Sequence, residues 1–339
     1  MENFTSTTTS LLNTSECFPV DNSTRRRAFI FFYLFIIIAS IPLNCFFLFI
    51  SWQHIRQKNE LGVYLFNLAL SDLTFTIGLS FWLDFLWRGV WGHGGLVCII
   101  SIYCLFTNFY MSGALLCCVA FNRYLAVVHP FKCKFVRKTS TAACVCFAIW
   151  VLVIIFNANT ISSEDSDQSG APVCFDILQP LTTNMARANI LRFALGFVVP
   201  SLVLFFTTWG IFRAVQTNQA TQAQESKRVA KLLLMVLLCL EVCFGPVHVM
   251  MLVRTLVKDC ETIQSLLYPH KVAIAVSCLN CLADPLLYGF ITRTGQAQLR
   301  RVLLYFRGGR RTDDEVKTVS VPVQTLPGGL GEDGTRAEG

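Results

Sequence analysis

Three carboxylic acids, Asp72, Glu241 and Asp284, lie within apolar runs where water would be absent. A carboxylate in such a place has to share a cation, a proton or hydrogen bonds, so each is a functional candidate by default. If the fold brings Asp72 and Asp284 together, they repel unless a proton or cation sits between them, which would make a proton-linked switch without histidine. Glu241 has Phe244 and His248 at i+3 and i+7, a helix face that would point inward and carry a titratable group of its own. Arg192, Arg254 and Lys271 occupy the outer halves of the last three apolar runs. A cation at that depth faces the protein interior and requires an anion, either a lipid carboxylate or phosphate or a loop acid such as Asp176. Of five histidines, His54 and His129 fall beside basic loops, which leaves His93, His248 and His270 to take up protons through roughly pH 7 to 6, with Asp84 and Asp176 on the same side. No cysteine or histidine spacing resembles a zinc site, and there is no nucleophile elbow, so the chain is not read as an enzyme.

The elements that must position these groups are membrane-spanning helices. Hydrophobic residues make up 54% of 339 positions and charged residues 14%, a balance that would leave a soluble domain with apolar surface in water. From Ile99 to Asn122 about 24 residues pass without a charge, enough at ~1.5 Å rise per residue to cross the ~30 Å hydrocarbon layer. Similar runs are predicted at Ala28–Trp52, Val63–Leu86, Thr141–Thr160, Ile190–Phe212, Val229–Val257 and Leu266–Ile291, making seven with Ile99–Val128. Arg56, Lys58, Lys132 to Lys138, Arg213 and Lys227 to Lys231 then share one face, and Glu164, Asp165, Asp167 and Asp176 the other. This places the basic face in the cytoplasm, although Arg25 to Arg27 break the pattern. The net charge of +7 is explained by that bias and is no nucleic-acid signature.

The expected fold is therefore an all-α membrane protein: a polar tail over residues 1–27, a seven-helix bundle over 28–291, a short amphipathic helix over 292–306 and a disordered tail over 307–339. The sequons at Asn3, Asn13 and Asn22 argue for a glycosylated extracellular N-terminus, with the first span as insertion signal. Leu299, Val302, Leu303 and Phe306 beside Arg300 and Arg301 suit a helix lying on anionic membrane lipids. Pro42, Pro200, Pro246 and Pro285 interrupt spans and should kink them.

One marker per span, in order, resembles the rhodopsin-like (class A) G-protein-coupled receptors: Asn44, Leu68-Ala-Leu-Ser-Asp72, Asn122-Arg123-Tyr124, Trp150, Pro200, Cys243-Phe-Gly-Pro246 and Asn280-Cys-Leu-Ala-Asp284-Pro-Leu-Leu-Tyr288. Asn59-Glu-Leu-Gly-Val-Tyr-Leu65, Trp91-Gly-His-Gly94 and Cys243-Phe-Gly-Pro-Val-His248 are similar to the branch of proton-sensing receptors. Cys174-Phe-Asp-Ile-Leu-Gln179 and the stretch from Arg192 look most like a member of that branch associated with oxidised fatty acids and lysolipids.

The resemblance implies a receptor in the cell membrane that passes extracellular acidification, or alternatively an anionic lipid, to a heterotrimeric G protein, with arrestin and a receptor kinase as further partners. It implies a Cys98–Cys174 disulfide and, with Cys17 and Cys260 both outside, a second bridge between those two. Asp72, Ser112, Asn280 and Asp284 match the family's sodium site, an allosteric ion; no other cofactor is expected. Phe244, Pro246 and Pro285 match the activation hinge, and Arg123, with Tyr124 and Tyr288, the coupling switch. Asn122 stands where the family has an acid that restrains the arginine, so elevated basal signalling is expected. Thr208 replaces a tyrosine, Val153 stands where proton sensors of the branch carry a buried glutamate, and Lys271 where some carry histidine. A transporter would also bury Asp72, Asp284 and Glu241, but the sequence lacks the repeat symmetry and paired broken helices of that class.

Overall fold

The computed structural model of the chain describes residues 23–129, 135–161, 174, 181–217 and 223–291. Helices α1 (Ser23–Arg56), α2 (Glu60–Arg88), α3 (Gly94–Val128) and α4 (Thr139–Ile161) each make one span. The fifth span joins α5 (Thr183–Phe193), a π-helical turn (Ala194–Val198) and α6 (Val199–Gln216). α7 (Ala223–Leu256) is the sixth, and α8 (Cys260–Ser277) with α9 (Asn280–Ile291) the seventh. Seven helices are long and apolar enough to cross a membrane, and no strand occurs among the described residues. The all-α bundle is the one expected. The sequons at Asn3, Asn13 and Asn22, the helix at 292–306 and the tail at 307–339 lie outside the described residues.

The spans outrun the hydropathy pattern where their ends are polar. The fifth begins at Thr183, not Ile190, because the Thr182 hydroxyl accepts the Met185 N–H at 3.3 Å and starts a polar turn that a hydropathy window passes over. Asp259 does the same for the seventh, accepting the Thr262 N–H at 2.8 Å, so that span starts at Cys260 and not Leu266. Arg25 to Arg27, which broke the charge pattern, belong to α1, and the Arg25 guanidinium lies 4.6 Å over the Tyr268 ring of α8.

Lipid offers helices little hydrophobic incentive to associate, so close packing and interhelical hydrogen bonds hold the bundle. α4 is tied by Trp150 Nε1, which donates to Asn67 Oδ1 at 3.0 Å, and by Asn157 Nδ2, which donates to Thr107 Oγ1 at 2.9 Å, each worth roughly 1 kcal/mol. Pro200 has no N–H for the preceding turn and its ring crowds the carbonyl behind it; the π-helical turn absorbs that misfit by widening the backbone. Gly196 sits in that turn. A Cβ there would fall 2.5 Å from the Tyr110 ring and 3.0 Å from His248 Nε2, so only glycine lets the fifth span approach the third and sixth this closely.

The cap at Asp259 carries a pH prediction. Its bonds to Thr262 hold the carboxyl below its ordinary value of 3.8, so the cap's stabilising contribution is complete above that value and is lost as pH falls beneath it. Asp259→Ala should lower the thermal midpoint of the purified protein equally at pH 8 and pH 6, while Asp259→Asn, which can still cap, stays close to wild type. A loss confined to pH 8 would refute this.

Candidate functional site

At the end of the bundle that carries the disulfide, Cys98 at the start of α3 is bonded to Cys174, with Cα atoms 5.8 Å apart. The expected first bridge is present. Cys260 is also disulfide-bonded, and Cys17, its expected partner, lies outside the described residues. Below the Cys98–Cys174 bridge a cavity of about 910 Å³, its open mouth included, is lined by Arg192 from α5, Arg254 from α7, and His270 and Lys271 from α8. Its walls include Trp82, Leu105, Phe106 and Phe109, and no acid is among the described lining residues. Asp176, the loop acid offered as an alternative partner, lies outside the described residues. Arg192 is only 1% exposed; its guanidinium lies 4.1 Å over the Phe106 ring and donates to Asn189 Oδ1 at 3.2 Å. A second pocket of about 450 Å³, its open mouth included, is lined by Tyr33, Phe75, Leu79 and Cys278 and shares Trp82, Leu105 and Ile274 with the first. A charged chamber thus adjoins an almost wholly apolar one, which suits an amphiphile with an anionic head.

The titratable candidates separate into distinct places. His93 Nε2 is 2.8 Å from Asp84 Oδ2, and Arg88 Nε donates to Asp84 Oδ1 at 2.9 Å, joining the end of α2 to the approach to α3. His248 is fully buried one layer beneath the cavity, its Nδ1–H donating to the Phe244 carbonyl at 2.8 Å and its ring stacked on Phe197 at 5.6 Å. Neither His248 Nε2 nor His270 Nδ1 has a hydrogen-bond partner. Glu241 is half-buried, whereas Phe244 and His248 on the same predicted face are wholly inside. Positions i and i+3 are roughly 60° apart around a helix, so Glu241 stands at the margin of the face that buries Phe244 and His248.

Mid-bundle, Asp72, Ser112, Asn280 and Asp284 do come together, all at most 1% exposed. Asn280 Nδ2 donates to Asp284 Oδ2 at 2.9 Å and to Ser112 Oγ at 3.3 Å. Asn280 is the first residue of α9, one helical turn before Asp284. Asn108 Nδ2 donates to Asp72 Oδ1 at 2.8 Å, a partner not anticipated from the sequence, although an amide in an uncharged span was a signal of the same kind as Asp72. Asp72 Oδ2 is buried and has no hydrogen-bond partner. At the opposite end from the disulfide, Asn122 Nδ2 donates to Glu60 Oε1 at 3.3 Å, and Arg137 Nε lies 3.6 Å from the same oxygen. The Tyr124 ring packs on Gly210 of α6, where a Cβ would come within 2.6 Å of it. Tyr288 lies on α9 and the structure describes no more of it than that.

Residues 43–288 match the family model of the 7 transmembrane receptor (rhodopsin family). The chain belongs to that family. G-protein coupled receptor 65 of Homo sapiens is 32% identical to it over 92% of this chain and 96% of its own length. G-protein coupled receptor 68 of Mus musculus is 32% identical over 86% of this chain and 80% of its own. Lysophosphatidic acid receptor 6 of Homo sapiens is 29% identical over 85% and 87%. The protein is accordingly a multi-pass membrane receptor that signals through a G protein, and not an enzyme.

In this receptor Asn122 is bonded to an acid, Glu60, which sequence reading passed over because it stands at the membrane edge beside Asn59, the α2 cap. Asn122→Asp would restore an acid beside Arg123 but also set two carboxylates against each other. The double variant Asn122→Asp/Glu60→Gln should therefore show ligand-free nucleotide exchange roughly tenfold below wild type, the scale of one charged hydrogen bond. The single variant should fall short of that reduction and express less well. Basal exchange unchanged in the double variant would sink the idea.

Proposed function

We propose that the receptor is activated by an anionic lipid, an oxidised fatty acid or lysophospholipid, bound at the disulfide end, which faces the cell exterior. The observation that carries this reading is the convergence of Arg192, Arg254 and Lys271 on one cavity that adjoins an apolar pocket of acyl-chain character. The three cations stand on the fifth, sixth and seventh spans. A carboxylate or phosphate among them draws the three helix ends together and acts as a differential ligand, favouring the arrangement in which the cations are closest. Pro246 lies inside α7 below this site, so an inward shift at one end swings the other end away from α3 and exposes the surface around Arg123 to the G protein. The name of lysophosphatidic acid receptor 6 and the resemblance to a lipid-associated member of the proton-sensing branch support the same ligand class.

The buried knot fits a sodium ion: an orphaned carboxylate oxygen of Asp72, the Ser112 hydroxyl and the Asp284 carboxylate are hard oxygen donors, with the Asn280 amide bracing the last two. Asp72, Ser112 and Asp284 would hold the ion, which supplies the positive charge that lets two carboxylates share one interior. Receptor kinase and arrestin would act on the tail, where Thr312, Thr318 and Ser320 offer hydroxyls.

Nucleotide exchange on G protein reconstituted with the purified receptor tests the lipid reading. Lysophosphatidic acid or a hydroxylated fatty acid should raise exchange, and a monoacylglycerol of equal chain length should not. Arg192→Gln or Lys271→Gln should shift the half-maximal concentration roughly tenfold or more. Equal activity of the uncharged lipid would reject it.

Acid sensing is the second reading, favoured by the His93–Asp84 contact of 2.8 Å on the exterior side. That contact, with Arg88 on the same carboxylate, joins the end of α2 to the approach to α3. In lipid-depleted medium, output should then rise between about pH 8 and pH 6 and lose that rise in His93→Gln and Asp84→Asn. A response that survives both substitutions places acid sensing elsewhere, if it occurs at all.

A further inference from the structure

A groove between α6 and α7 near the Arg123 end is absorbed neither by the ligand site nor by the coupling switch. Its walls are Phe205, Trp209, Phe212, Leu234 and Leu237. Phe205, Trp209, Phe212 and Leu234 are exposed on the outside of the bundle, Trp209 to 53%. The floor is Thr208, 5% exposed, whose hydroxyl has no hydrogen-bond partner. Two facing stripes run along it. On α6, Phe205, Trp209, Phe212 and Gln216 are spaced i, i+4, i+7, i+11, with Arg213 beside them, its guanidinium 5.6 Å from the Trp209 ring centroid. On α7, Leu238, Leu234, Lys231 and Lys227 follow the same spacing in reverse, all exposed. The helices are antiparallel, with Asn189 Nδ2 donating to the Met251 carbonyl at 3.5 Å and Gly245 opposite Phe197. That register brings Lys231 level with the Arg213 turn. Both stripes are thus apolar toward the bilayer centre and cationic at the membrane edge.

We propose that this groove is a binding site for an anionic phospholipid of the cytoplasmic leaflet, with one acyl chain between the aromatic and leucine walls, the phosphate between Arg213 and Lys231, and a glycerol ester oxygen accepting the Thr208 hydroxyl. Paired cations above a membrane-facing apolar slot complement this amphiphile and no soluble partner, since the slot opens into hydrocarbon. The occupant touches both α6 and α7, and α7 is the helix proposed to swing when the Arg123 surface is exposed. The site is independent of the ligand at the disulfide end.

The test uses the full chain in phosphatidylcholine nanodiscs, doped with phosphatidylserine or phosphatidylcholine carrying brominated acyl chains, which quench tryptophan on contact. The Trp209 contribution is the difference between wild type and Trp209→Phe among the six tryptophans. Brominated phosphatidylserine should quench Trp209 at a several-fold lower mole fraction than brominated phosphatidylcholine. Arg213→Gln and Lys231→Gln should each reduce that preference roughly fivefold, the scale of one cation at a membrane surface, while quenching by phosphatidylcholine stays unchanged and certifies the fold. Equal quenching by the two lipids in wild type would mean that the groove accepts any bilayer lipid, and would overturn the proposal. So would a Trp209 that neither lipid reaches.

Discussion

Burying the carboxylate of Asp72 is the constraint around which the bundle is organised. With no water at that depth, every polar group near it has to find a partner on another helix. Asp72 takes a hydrogen bond from Asn108 of α3; its own carbonyl accepts the Thr76 hydroxyl, which meets Ser40 of α1 at 3.0 Å. Asn44 of α1 then donates to the Cys281 carbonyl of α9 at 2.8 Å, and Asn280 reaches back to Ser112 of α3. Four spans are thereby joined through one polar interior. Asn280 and Asp284 stand at i and i+4 of α9, so one helix face delivers both to this interior.

The fifth and sixth spans carry mostly ring packing, beside the Asn189–Met251 hydrogen bond. From the Arg192 guanidinium a series of contacts runs through Phe106 at 4.1 Å, Phe109 at 6.0 Å and Phe244 at 5.3 Å, two residues before Pro246. Aromatic contacts can be traded for one another at small cost, whereas a buried hydrogen bond cannot be given up so easily. On the proposed activation the polar half of the bundle would be the stator and the aromatic half the moving part. The Cys98–Cys174 bridge and the cations around the cavity sit over the junction between the two halves.

The spans, their order and the buried acids were legible in the sequence because the cost of moving charge into hydrocarbon is large and local, and leaves a plain trace. The polar starts of α5 and α8 were not, since hydropathy reports transfer energy and a capped polar turn outside the hydrocarbon registers as loop. Asn108 was legible in principle by the argument that singled out Asp72, but an amide lacks the charge that draws attention. Glu241 is only half-buried because periodicity gives a face and not its edges: it lies at the margin of the face that buries Phe244 and His248. Glu60 with Arg137 could not be seen at all. They are 77 positions apart, each at a membrane edge where charges are ordinary, and only the packing of α2 beside α3 and α4 brings them together.

That last contact bears on how the Arg123 end is restrained. Glu60 stands on α2, Asn122 on α3, and Arg137 just before α4. None of the three is on α7, the helix proposed to swing. A contact made in both conformations cannot bias the equilibrium between them, whatever its strength. On the proposed activation the acid of this network would stabilise the fold at the Arg123 end without opposing its exposure. In the usual arrangement of the family an acid next to the arginine restrains it; here the neighbouring position is an amide turned toward α2, and its hydrogen bond can persist while α7 opens.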